Sequence, residues 1–145
     1  MSHSSHECDS IALICMDYRL WEPNRLAVFT FLQRVAGAAG VKDLDVVALA
    51  GGAKNILDGQ EAQAIVLNQI GLSVKLHAIK SVILTNYLDC GAYGEDGNNR
   101  EKLIADLRLG EAIVKRQFPE LAVTMILIDL KEGIGQWETL CEVIN

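Results

Sequence analysis

Residues 11–19 read Ile11-Ala12-Leu13-Ile14-Cys15-Met16-Asp17-Tyr18-Arg19. Six apolar residues run without a break, and a carboxylate and a guanidinium follow at once. A short continuous run of aliphatic residues is the pattern of a strand covered on both faces, as in a parallel sheet. The same pattern returns at Asp45 to Ala50, Ser81 to Asn86 and Ala122 to Asp129.

Between these runs the apolar spacing becomes helical. Leu26, Phe29, Leu32 and Val35 form one stripe. Ala64, Leu67, Ile70 and Val74 form a second, with Ile65 and Leu72 beside it and Gly71 weakening or ending the helix. Leu103, Leu107, Ala112 and Ile113 form a third, expected to stop near Phe118 before Pro119. The order is β-α-β-α-β-α-β, followed by a short C-terminal segment around Trp137 to Ile144. Such alternation predicts right-handed crossovers and a single three-layer α/β domain, its central four-stranded, mostly parallel sheet flanked by helices. Residues 1–10 are expected to be a disordered tail and 11–145 the domain.

At 145 residues the chain suits one such domain. It is 50% apolar and 22% charged, an ordinary globular composition. The net charge of −6 is spread out, with no basic cluster of the kind a nucleic-acid groove requires. No apolar stretch is long enough to span a membrane, and the polar start does not read as a signal peptide. The four cysteines, Cys8, Cys15, Cys90 and Cys141, lack framework spacing. Reduced thiols in a cytoplasmic protein are the expectation.

Ligands of open α/β sheets bind beyond the carboxyl ends of the strands. That points to Cys15–Trp21, Ala50–Asn55, Tyr87–Arg100 and Asp129–Gly135. In the first, Cys15, Asp17 and Arg19 alternate and project from one side of an extended segment. Asp17 beside Arg19 is held ionised and can accept a hydrogen bond. The plainer reading is a buried strand cysteine next to a local ion pair. In the third, Asp89-Cys90-Gly91-Ala92-Tyr93-Gly94 is a glycine turn whose amides could approach an anion, or simply a connecting loop around a buried thiol. A doubly wound sheet sets its first and third strands side by side, so Cys15 and Cys90 converge. Two thiols at a ligand-binding edge are a candidate zinc site.

Cys-x-Asp-x-Arg after strand one, Ala50-Gly51-Gly52 after strand two and Cys-Gly after strand three together resemble the β-class carbonic anhydrases, from about Ile11 to Asp129. The resemblance implies reversible hydration of carbon dioxide to bicarbonate at a zinc ion, with Cys15 and Cys90 as ligands and Asp17 and Arg19 as the catalytic dyad. It implies substrate contacts from Tyr87, Gly51, Gly52 and Gly91, and a homodimer or higher homo-oligomer. The family's third ligand is a histidine three residues before the second cysteine. Here that position is Tyr87.

Phenol ionises near pH 10 and is an uncommon zinc ligand. Three arrangements stay open: Asp17 enters as third ligand, another histidine substitutes, or no metal is retained and the pocket binds a small anion. His77 precedes the third strand and falls roughly 20 Å from the site at a strand rise of about 3.3 Å per residue. His3-x-x-His6-x-Cys8 also starts at the wrong end. Lys54 and Asn55 could complete an anion-binding turn or a plain loop. Tyr18 and Trp21 are expected at the pocket mouth or a subunit contact, Asp96 to Arg100 as a solvated loop or lid, Cys141 in the core and Cys8 near the surface. A phosphatase-type nucleophile would need an arginine six residues after Cys15, where Trp21 stands. No G-x-G-x-x-G follows a strand, against a dinucleotide fold.

Overall fold

A computed structural model describes residues 6–21, 31–133 and 136–145, without the side chains of 132–138. The four expected strands are present as β1 (Ser10–Ile14), β2 (Leu44–Ala48), β3 (Ser81–Tyr87) and β4 (Ala122–Gly133). All run parallel, in the order β2-β1-β3-β4, with β1 pairing both β2 and β3.

The sheet has a fifth strand where only a C-terminal segment was expected. Gln136–Ile144 forms β5, antiparallel to β4, from Met125↔Ile144 to Gly133↔Gln136. β4 accordingly extends past Asp129 into Lys131 and Glu132, because β5 supplies hydrogen-bond partners for backbone that a four-stranded sheet would leave open. The architecture remains one α/β domain with a mostly parallel sheet between helices.

Alternation along the strands sorts the core into two halves. Ala12, Ile14, Ile83, Ile126 and Ile128 pack on one face with Phe31 and Val35 of helix α2 (Phe31–Ala39). Ile11, Leu13, Val82, Leu84 and Met125 pack on the other with α3 (Gln60–His77) and α4 (Arg100–Gln117), through Val66, Ile70, Leu107 and Val114. Burying each such aliphatic side chain stabilises the fold by about 1.5–3 kcal/mol before entropy is counted. β1 is buried at every residue, whereas β2, at the sheet edge, is only half covered. The expected cover on both faces therefore holds for the inner strands alone.

Leu32 and Val35 of the first expected stripe lie in α2, while Leu26 and Phe29 fall outside the described residues. α3 runs unbroken through Gly71 to His77, with the Phe118 ring beside that glycine. α4 starts where the Asn99 side chain accepts from the Lys102 amide at 3.1 Å, and it ends before Pro119.

Cys8 is half-buried; its amide donates to the His77 carbonyl and its thiol to that of Ser10. His3 lies outside the described residues. Cys141, also half-buried, faces Ile128 across the β4–β5 pair.

Candidate functional site

The carboxyl ends of β1 and β3 open into a cavity of 590 Å³. Its lining includes Cys15, Asp17, Arg19, Tyr87, Asp89 and Gly91. Parallel pairing with Leu13 opposite Leu84 brings the two strand ends level, so residues 70 positions apart in sequence meet there.

Asp17 accepts from the amide of Arg19 at 2.9 Å and precedes the short helix α1 (Tyr18–Trp21). The turn folds Arg19 back onto the same carboxylate. Arg19 Nε lies 3.1 and 3.2 Å from the two Asp17 oxygens, and Nη2 lies 2.7 Å from Oδ2. Trp21 does not stand at the mouth. Its indole N–H donates to the Cys15 carbonyl at 2.9 Å and its ring meets Phe31 edge-on, which anchors α1 to the strand. Met16 and Tyr18 are large apolar and aromatic side chains exposed at the rim.

Tyr87 ends β3, 3% exposed, with its hydroxyl between Cys15 and Asp17. It donates to Asp17 Oδ2 at 2.6 Å, and Cys15 Sγ lies 3.6 Å from the Tyr87 hydroxyl oxygen. A phenol has one proton, and the short contact assigns it to Asp17. Burial, then the bond to Asp17, pushes the Tyr87 phenol well above its ordinary range, so the side chain is neutral. Burial also works to raise the Asp17 carboxyl, but the Arg19 and Tyr87 hydrogen bonds outweigh it and hold the group down at about 2.

Cys15 and Cys90 act as a pair. Hydrogen bonding from Cys90 lowers the Cys15 thiol against the effect of burial, with help from the Gly51 amide, which donates to Cys15 Sγ at 3.3 Å. The same contact and burial raise the Cys90 thiol. The contact between the two sulfurs thus moves their titrations in opposite directions, Cys15 down and Cys90 up.

The glycine turn is built for close approach. Gly52 has φ +55, and a Cβ there would stand 2.8 Å from the Thr85 carbonyl oxygen and 3.3 Å from the Cys15 amide nitrogen. The Gly52 amide donates to the Leu49 carbonyl, and the Asn55 side chain donates to the carbonyls of Ala50 and Gly52. Lys54 pairs with Asp58. The amides of Gly51 and Gly52 therefore already have acceptors inside the protein, and Asn55 serves to close the turn. Gly91 lies on the cavity wall and opens a 3-10 segment, Gly91–Asn98, that spans most of the proposed lid.

In the sequence Asp89 is marked only by its place beside Cys90. The structure puts it opposite Asp17 on Arg19. Its Oδ2 accepts from Nη1 at 2.9 Å and its carbonyl from Nη2 at 3.1 Å. The signal for it was weak, because a contact across 70 residues leaves no trace in local spacing.

His77 lies at the other end of the sheet, with Nδ1 2.7 Å from Asp45 Oδ2, an oxygen that also accepts from Ser73. Among the described residues no three His, Cys, Asp or Glu side chains are grouped to hold a metal ion. A catalytic zinc site has three protein donors and an open position. This pocket offers two thiols, a neutral phenol, and a carboxylate whose oxygens are already engaged by Arg19 and Tyr87. The donor set does not fit zinc.

Parallel strands with a cysteine at the ends of β1 and β3, an Asp–Arg pair and a glycine turn define an α/β pocket protein of the carbonic anhydrase type. Residues 5–138 match the family model described as "Putative carbonic anhydrase". The fold is similar to that of the carbonic anhydrase from Streptococcus mutans solved by crystallography. The TM-score is 0.56 at 16% identity, covering 94% of this chain and 81% of that one. No curated protein matches the sequence. The chain belongs to this carbonic anhydrase family.

Proposed function

We propose that this chain is a member of the family that has given up zinc-dependent hydration of carbon dioxide and keeps the pocket as a binding site for a small anion such as bicarbonate. One observation carries the reading: the Tyr87 hydroxyl, in the position of the missing histidine, sits 2.6 Å from Asp17 and 3.6 Å from Cys15.

A histidine there would offer a neutral imidazole lone pair to a metal. Tyr87 instead gives its proton to the carboxylate that would otherwise be the nearest spare donor. It thereby ties Asp17 into a hydrogen-bonded cluster with Arg19 that needs no metal ion. Arg19 supplies the positive charge an anion needs, and the rim is open enough to admit one. Four unpaired cysteines suit a reducing compartment such as the cytoplasm.

Stopped-flow hydration of carbon dioxide tests this, run on the wild type and on Tyr87→His with equimolar zinc. The reading expects a wild-type rate at the uncatalysed background and a measurable gain in Tyr87→His. Rapid turnover by the wild type would overturn it and would favour Asp17 as a substitute ligand.

A further inference from the structure

The two carboxylates on Arg19 differ in a way that suggests different jobs. The Asp17 side chain is 13% exposed and takes Nε and Nη2; the Asp89 side chain is 63% exposed and takes Nη1. Asp17 is further held by Tyr87 and by the Arg19 amide. The Asp89 carboxylate has solvent on its other side.

The Asp89 main chain is fixed independently of its side chain. Its amide donates to the Gly97 carbonyl at 2.8 Å, its own carbonyl holds Arg19 Nη2, and its φ is +72. Left-handed backbone is unfavourable for most side chains and is tolerated best by glycine, asparagine and aspartate. The side chain can leave Arg19 while the loop and the guanidinium both stay in place.

We propose that Asp89 is a built-in competitor at the anion site. Its carboxylate occupies the Arg19 Nη1 position at which a small monoanion such as formate or bicarbonate binds, and the ligand enters by displacing it into solvent. Asp17 takes the Nε–Nη2 fork and the Asp89 carbonyl keeps its own bond to Nη2, so the position that the Asp89 side chain gives up is Nη1. With Asp89 in place, an incoming anion meets two carboxylates for one guanidinium, a net charge that repels it. Exposed ion pairs are weak and screened by salt, so Asp89 is the partner that yields. Both residues line the same cavity, so the exchange happens where a ligand arrives.

This rests on the anion-binding reading of the pocket, and its test is separable from the question of metal. Formate binding is followed by NMR, on protein dialysed against a chelator, for the wild type, Asp89→Asn and Asp89→Gly. Both replacements accept the left-handed backbone, so the loop is preserved, and the amide spectrum reports whether it is. Formate should bind most tightly to Asp89→Gly, about tenfold tighter than to wild type, with Asp89→Asn between them. The Arg19 Nε–H resonance should shift on binding. Equal or weaker binding by Asp89→Gly, or no binding by any of the three, would overturn the proposal. Stoichiometric zinc in the wild type before dialysis would overturn the metal-free reading instead, and leaves the order of formate affinities to judge Asp89 on its own.

Discussion

The Tyr87 hydroxyl donates to Asp17 Oδ2 at 2.6 Å, joining the end of β3 to the turn after β1. This bond links the residue that departs from the family pattern to one that keeps it. Tyr87→Phe removes it and leaves the rest of the ring in place. A hydrogen bond to a charged group contributes about 1.5–3 kcal/mol, so the variant should lose about 1–2 kcal/mol, read as a lower denaturation midpoint at unchanged slope. An unshifted midpoint would mean that Asp17 is held by Arg19 alone.

The same cluster sets the response to acid. The Asp17 carboxyl is depressed from 3.8 to about 2 in the folded protein, so the unfolded chain takes up its proton first. Its contribution to stability is therefore complete above the unfolded value, near pH 4, and is lost as pH falls through about 2. Asp17→Asn should flatten the stability curve between pH 4 and about 2. A curve parallel to that of the wild type would contradict the assignment.

Gly52 tests the turn. An alanine there combines φ +55 with a Cβ contact of 2.8 Å to the Thr85 carbonyl oxygen, and neither strand can retreat without breaking β1–β3 pairing. Gly52→Ala should cost about 2–4 kcal/mol, measured by chemical denaturation. A loss under about 0.5 kcal/mol would show that the turn is looser than its geometry implies.

A buried polar chain supports the back of the site. The Tyr93 hydroxyl donates to Asp106 Oδ2 at 2.9 Å and accepts from the Asn86 amide at 3.1 Å, and Lys102 pairs with Asp106 from the other side. Tyr93→Phe strips one partner from each of two buried groups. A loss of about 2 kcal/mol is expected in thermal or chemical denaturation. Neutral substitution would mean that Lys102 alone satisfies Asp106.

Much of this was legible from single residues. β1, β3 and β4 announced themselves as aliphatic runs because the inner strands of a parallel sheet have no polar face. Cys15, Asp17 and Arg19 were recognisable because the site lies at a strand end, where spacing in sequence becomes placement in space. β5 was not legible: Gln136 to Ile144 mixes polar and apolar residues, as an edge strand can, and only its pairing with β4 declares it. α3 passed through Gly71 because one glycine costs a helix only about 1 kcal/mol, a weak local preference that the buried face around Val66 and Ile70 overrides. Asp89 was hidden for a third reason, since its contact with Arg19 spans 70 residues and exists only because β1 and β3 pair side by side.

The central claim is that Tyr87 leaves the pocket without a complete set of zinc donors. Zinc content after dialysis of reduced protein against buffered zinc, counted per chain by mass spectrometry for the wild type and Tyr87→His, tests it most directly. The account expects far less than one zinc per wild-type chain and close to one per Tyr87→His chain. One tightly held zinc per wild-type chain, unchanged by the substitution, would contradict it.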